Sequence, residues 1–202
     1  MNCDPVGAAA ARLDSPLILA SLSPRRRELL SHLPYPFEVR SFPTREFSNG
    51  ELPAAELPLR NAEAKARAVA ERFPDALVIG ADTVIISDRR IIGKPRDPAD
   101  AFRTLSLLSG RTHEVVTGVA LLRRRDGVRR VWSESTAVTF KTLSPETIRE
   151  YMRRVDVLDK AGSYALQEHG DMLIERVDGD PDNVVGLPLR RLASDLLTFA
   201  EI

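Results

Sequence analysis

Three consecutive arginines, Arg25, Arg26 and Arg27, follow the pair Ser23-Pro24. Ser before Pro marks a helix start, because Ser accepts from orphan N–H groups and Pro presets the first helical φ. The arginines therefore fall in an opening helical turn, where each positive charge opposes the helix dipole by roughly 0.3–1 kcal/mol. A bound phosphate would reverse that penalty, since the free N–H groups, the hydroxyls of Ser21 and Ser23 and the guanidinium forks all favour the same anion. Solvated arginines, one of them paired with Glu28 or a distant carboxylate, fit the spacing equally. Asp82 is the second reactive feature: in ALVIGADTVIIS it stands between two apolar, branched segments, where a buried carboxylate must be held by a cation or by hydrogen bonds. The competing reading is a turn aspartate bonded to its own backbone beside Gly80. Lys65 lies at the edge of an apolar helical stripe, the position of a snorkelling lysine whose amine reaches past the stripe. Lys94, between Gly93 and Pro95, and Lys160, in Asp-Lys-Ala-Gly, sit in tight turns that can aim a long cation, although ordinary loop lysines occupy such turns too.

These side chains need elements to position them. PLILA (16–20) reads as a short strand, followed by a helix from Ser23-Pro24 to about Leu33. A polar loop over 34–58 leads to a helix over LRNAEAKARAVAERF, supported by its Ala, Glu, Lys and Arg content and by the Glu63–Arg67 spacing. ALVIGADTVIIS reads as a buried strand broken at Gly80–Thr83, with Asp88 in a following turn. Asp97-Pro98 opens a helix that Ser109-Gly110 closes, with Leu105 and Leu108 facing the core. The stretch from Val115 to Phe140 forms a β-hairpin turning on Asp126-Gly127, its run of arginines a solvated tip. Ser144-Pro145 caps a helix to about Arg154, MLIERV is a strand, DGDPDN a turn and LPLRRLASDLLTF an amphipathic helix. Strands and helices alternate around a hairpin, which implies an α/β fold on a mixed sheet.

Length and composition narrow the function classes. The chain has 202 residues, 43 % of them apolar and 29 % charged, a composition of folded domains and not of disordered chains. We expect a flexible extension over 1–15 and a single domain over 16–202. Twenty-nine basic residues balance twenty-nine acidic ones, so a polyanion site must be a local cluster, and a general nucleic-acid binder is not expected. The hairpin arginines lack interleaved aromatics for base stacking. Cys3 is the only cysteine, which argues against a disulfide framework, a thiolate zinc site or a catalytic thiol. No apolar run approaches a membrane span, and the Ala-rich start lacks a basic n-region, so a soluble, cytoplasmic protein with no membrane partner is expected. His113 stands without a second His or Cys at ligand spacing and reads as a hydrogen-bonded structural residue.

ASLSPRRRELL, AEAKARAV, VIGADTVI, the Gly93-Lys94-Pro95 turn, LSGRTHEVVTGVAL, DKAGSYALQ and NVVGLPL occur in this order over about Leu17 to Leu192. In these blocks the chain resembles the Maf-like nucleoside triphosphate pyrophosphatases. The resemblance implies an elongated mixed sheet flanked by helices, with two lobes around a deep cleft. It implies hydrolysis of a nucleoside triphosphate between its α and β phosphates, with water as nucleophile, giving the monophosphate and pyrophosphate, and a divalent cation such as Mg2+ or Mn2+. It makes Asp82 the general base or a metal ligand, with Glu46 a second carboxylate, and makes Arg25, Thr83 and Gln167 the base-specificity positions. Ser21, Arg25, Arg26, Lys65, Lys94 and Lys160 would meet the substrate. Thr83 with Gln167 resembles the dTTP/UTP subgroup, while Val157-Leu158 and Glu168-His169 depart from the family's pattern beside the base pocket. Action on CTP, 7-methyl-GTP or other modified nucleotides, or a nucleotide-binding role in cell division with incidental hydrolysis, are the alternatives. A homodimer is the partner state the resemblance suggests.

Overall fold

The structure is a computed structural model that describes residues 13–200. Its frame is one open, mixed sheet of seven strands: β1 (Leu17–Leu19), β2 (Phe37–Val39), β3 (Leu77–Ser87), β4 (Arg90–Ile92), β5 (Thr112–Arg123), β6 (Val128–Phe140) and β7 (Ile174–Asp178). The order is β2-β1-β3-β5-β6-β7, with β4 paired to the far end of β3. β2 and β3 run parallel to β1, and the remaining neighbours are antiparallel. This is the mixed α/β sheet the alternation of elements implies.

Six helices cover it: α1 (Pro24–Ser31), α2 (Leu57–Ala70), α3 (Pro98–Leu108), α4 (Pro145–Arg154), α5 (Pro181–Val185) and α6 (Leu189–Leu197). Their starts follow from local chemistry. Asp97 accepts from the Asp100 N–H, Ser144 from the Thr147 N–H and Asp180 from the Asp182 N–H, each capping an orphan donor behind a Pro. The DGDPDN stretch is thus a cap and a short helix, not a plain turn.

Three further expectations are corrected. β3 is continuous from Leu77 to Ser87, with no break at Gly80–Thr83, because the ladder to β5 runs through it: Asp82 is opposite Gly118 and Thr83 opposite Thr117. The supposed loop over 34–58 contains the edge strand β2. The hairpin arginines are a solvated tip only at Arg124 and Arg125, which are exposed. Arg123 is buried and bonded to Asp14, Ser15 and Asp126, Arg129 grips both oxygens of Glu63, and Arg130 reaches Asp195.

Residues 1–12 of the expected extension lie outside the described residues. Leu13 bridges Ala200, and Asp14 donates its N–H to the Phe199 carbonyl, so residues 13–14 are docked on the C-terminal segment. Among the described residues no helix is long and apolar enough to cross a membrane.

The sheet carries separate cores. Leu29 and Leu30 of α1, Leu192 and Leu196 of α6, and Leu19, Ile79 and Leu121 form one; Leu105 and Leu108, Ile148 and Tyr151 of α3 and α4 pack with Ile85, Val115 and Phe140 in another. The opposite face receives α2, whose Ala62, Ala66 and Val69 lie on Val78 and Ala120. β1 covers the β3 edge only at 77–79 and β4 only at 85–87, so no strand ladder covers that edge between Gly80 and Val84. A cleft opens at this gap.

Candidate active site

The cleft has a volume of about 360 Å³. Nine of the ten residues singled out from the sequence line it: Arg25 and Arg26 from α1, Glu46, Lys65 from α2, Asp82 and Thr83 from β3, Lys94 after β4, and Lys160 and Gln167 from the loop beyond α4. The tenth, Ser21, lies behind Arg26, its hydroxyl 3.4 Å from Nη1. Period-two alternation in β3 turns Asp82 toward α2 and Thr83 toward α1 and α5, so the uncovered edge lets side chains of both faces border one cavity.

On the α2 side, Lys65 Nζ donates to Asp82 Oδ1 at 2.7 Å and forms an ion pair with Glu46 Oε2 at 2.8 Å. Asn61 completes the group. It is one helical turn before Lys65, hence on the same face, and its Nδ2 donates to Asp82 Oδ2 at 3.2 Å. Asn61 Oδ1 accepts from the Phe47 N–H at 2.7 Å while Nδ2 also reaches the Phe47 carbonyl, so this one buried amide ties the loop carrying Glu46 to the strand carrying Asp82. Sequence reasoning passed over Asn61. Its signal was a poor helix former at i−4 to Lys65 in an Ala-rich helix.

On the other side, Arg26 Nε donates to the Gly186 carbonyl at 2.8 Å and Nη2 to Thr83 Oγ1 at 2.9 Å. Burial pulls the Arg26 guanidinium below its ordinary range, with the Asp82 charge opposing. Thr83 Oγ1 is 2.9 Å from Thr117 Oγ1, and Thr117 donates its single proton to the Asn183 carbonyl at 3.0 Å. The Thr83 hydroxyl must then donate to Thr117 and accept from Arg26, leaving one lone pair. Arg25 is less fixed, with Nη1 3.5 Å from Asp159 Oδ2. Burial alone would raise the Asp159 carboxyl, but its bond to Lys160 and the charges of Lys160 and Arg25 hold it below the usual range. Asp159 and the buried Tyr164 are lining residues that the sequence reading did not single out as site residues. His113 Nε2 shares a 2.7 Å hydrogen bond with Tyr164 Oη, the structural role expected for it.

Carboxylates and cations thus face each other across a narrow cavity. Such a site can hold a polyanion by its phosphate oxygens and keep a carboxylate beside it for proton transfer.

The fold and cleft define an α/β protein with a cation-lined cleft at an uncovered sheet edge, paired carboxylates on one wall. The chain belongs to the Maf-like protein family, whose model matches residues 16–199. It is 51 % identical over 175 residues to the dTTP/UTP pyrophosphatase of Akkermansia muciniphila, covering 87 % of this chain and 92 % of that protein. Its identity to the dTTP/UTP pyrophosphatase of Moorella thermoacetica is 47 % over 185 residues, covering 92 % and 95 %. The protein of that name from Gloeobacter violaceus is 46 % identical over 183 residues, covering 91 % and 95 %.

Proposed function

We propose that this protein hydrolyses dTTP and UTP between the α and β phosphates, releasing the nucleoside monophosphate and pyrophosphate. The observation that carries this reading is the Lys65 ammonium bound at once by Asp82 and Glu46, within a cleft that also holds Arg25, Arg26 and Lys94. The names of relatives sharing about half of the residues over most of both chains support the choice of substrate.

Hydrolysis of a phosphoanhydride asks little covalent chemistry of a protein; rate comes from aligning water and neutralising charge on the phosphate oxygens. Arg26 is suited to the second task because Gly186 and Thr83 fix its fork while two of its five N–H donors make no bond among the described residues. Arg25 and Lys94 are free to turn toward the same oxygens. A triphosphate would compete for the Lys65 ammonium and release Asp82 Oδ1 to accept a proton from the attacking water. The water oxygen joins phosphorus, the α–β bridging P–O bond breaks, the leaving oxygen departs on the product, and the proton passes through Asp82 to solvent.

The donor set fits a divalent cation, since two carboxylates converge within 2.8 Å of one Nζ atom and hard oxygen donors suit Mg2+ or Mn2+. Asp82 and Glu46 would hold it, and when bound it would add positive charge at the phosphate oxygens. Gln167 reads the edge of the base: its amide lies at the cleft wall and can pair with a pyrimidine's oxygen and N–H together. A soluble enzyme acting alone or as a homodimer, with neither nucleic acid nor membrane as partner, is consistent with this chemistry.

The test is product analysis on dTTP, UTP, CTP, GTP and 7-methyl-GTP with Mn2+. Monophosphate and pyrophosphate from dTTP and UTP are expected, and orthophosphate in their place would refute the proposed bond. Asp82→Asn should lower kcat by about 10²–10⁴-fold while still binding nucleotide; full turnover in that variant would remove Asp82 from the mechanism.

A further inference from the structure

The loop after α4 carries a cation whose charge is already paired. Lys160 is 4 % exposed, and its ammonium has three protons to give. Two of them go to the Asp156 carbonyl at 2.6 Å and Asp159 Oδ1 at 2.8 Å, and Glu168 Oε1 stands as an ion-pair partner at 3.2 Å. A phosphate oxygen would have to compete with two carboxylates for this charge.

The other ties of the loop stop short of the base reader. The Gly162 N–H donates to the Gly93 carbonyl at 3.0 Å, Tyr164 is held by His113, and the Ala165 N–H donates to Tyr151 Oη at 3.0 Å. Beyond Ala165 the chain passes through Leu166, Gln167 and Glu168 to His169, whose φ of 54° begins a tight turn. From Leu166 to Glu168 the one polar tie among the described residues is Glu168 on Lys160, and the His169 carbonyl then accepts from the Met172 N–H at 3.0 Å. Gln167 is exposed, and its side-chain amide has no partner among the described residues. An amide reads a base only if it is held at hydrogen-bonding distance and angle, and a floating one offers its oxygen and its nitrogen to either pyrimidine.

We propose that Glu168, gripped by Lys160, is a specificity-positioning residue: the ion pair fixes the segment from Leu166 to Glu168 so that Gln167 meets the base in one orientation, and Lys160 anchors this loop instead of binding phosphate. The inference rests on Gln167 reading the base. Glu168 stays partly exposed, with 42 % of its side chain accessible, so removing its carboxylate leaves the buried core untouched.

The experiment compares wild type and Glu168→Ala by calorimetric binding of the α,β-imido analogues of UTP and CTP and of inorganic pyrophosphate, which needs no turnover. The wild type should prefer the UTP analogue. In Glu168→Ala that preference should fall about fivefold, the loss of roughly one hydrogen bond's net worth, with pyrophosphate affinity unchanged. An unchanged preference in a variant that melts like wild type would overturn the proposal alone. Tighter binding of pyrophosphate and of both analogues would also overturn it, by showing Lys160 freed to act on phosphate. A wild type that binds both analogues equally would refute Gln167 as base reader and this proposal with it, leaving the cleavage chemistry to be judged by product analysis.

Discussion

Asp82 and Thr83 are neighbours in sequence that serve opposite walls of the cleft. Asp82 has each oxygen occupied, one by Lys65 and one by Asn61. Thr83 has its proton committed to Thr117 and a lone pair committed to Arg26. The resemblance sets Thr83 at the base, whereas its bonds in this chain run to the arginine that would meet phosphate. Thr83→Val keeps the shape and removes both hydrogen bonds, so Arg26 Nη2 loses its anchor. We expect kcat/KM to fall about tenfold for dTTP, UTP and CTP alike, near the 1.5 kcal/mol of one hydrogen bond to a charged group. Steady-state kinetics on the three substrates checks this; a change in their ratio with no common loss would return Thr83 to base selection.

Helix α2 is the element on which the carboxylate wall depends, and two glycines set its distance from the sheet. A Cβ at Gly80 would lie 2.2 Å from the Ala62 carbonyl and 2.9 Å from the Ala66 Cβ, and one at Gly118 would lie 2.4 Å from Pro58. The helix rests directly on the strand backbone, which brings Asn61 and Lys65 within reach of Asp82. Gly80→Ala must therefore lift α2, costing about 1–3 kcal/mol by overpacking and separating Lys65 from Asp82. Chemical denaturation and activity should both show it. Gly93→Ala, where a Cβ meets nothing within 4 Å, should leave stability within about 0.5 kcal/mol. Helices with a capping residue and Pro were legible in the sequence because the signal is local: α3 and α4 begin just behind Asp97 and Ser144 as expected. The polar pair Asp82-Thr83 misled because a strand that borders a cleft accepts polar side chains without ending. β2 and β4, three residues each, exist by pairing with β1 and β3, and no periodicity fits in three residues. The cations of the site were legible as residue types in turns. Which of them were already neutralised, as Lys160 is, depends on contacts between distant segments, and so does the burial of Arg123.

At the scale of the whole molecule, three of the five hairpin arginines are consumed in ion pairs that tie the sheet together. Arg123 joins Asp14 near the start of the described chain to Asp126 in the hairpin turn, and its guanidinium lies over the Phe199 ring near the end. The second core, beneath α3 and α4, reaches the cleft through Tyr164, which packs edge-on against Phe140 and His113. This cluster makes the stability of the molecule depend on pH. Burial pulls His113 down to about 4 from an ordinary 6.5, so the folded chain resists a proton that the unfolded chain accepts. Above pH 6.5 the ring is neutral in both states and contributes no slope; as pH falls from 6.5 toward 4 the unfolded state gains protons and stability is lost. Between pH 7.5 and pH 5 the loss from this one ring should be about 2 kcal/mol. Urea denaturation at the two pH values measures it. His113→Phe leaves the Tyr164 hydroxyl without its partner and should be less stable at pH 7.5, yet its stability should fall less between the two pH values. A fall as large as in the wild type would show that the proton uptake belongs to other groups.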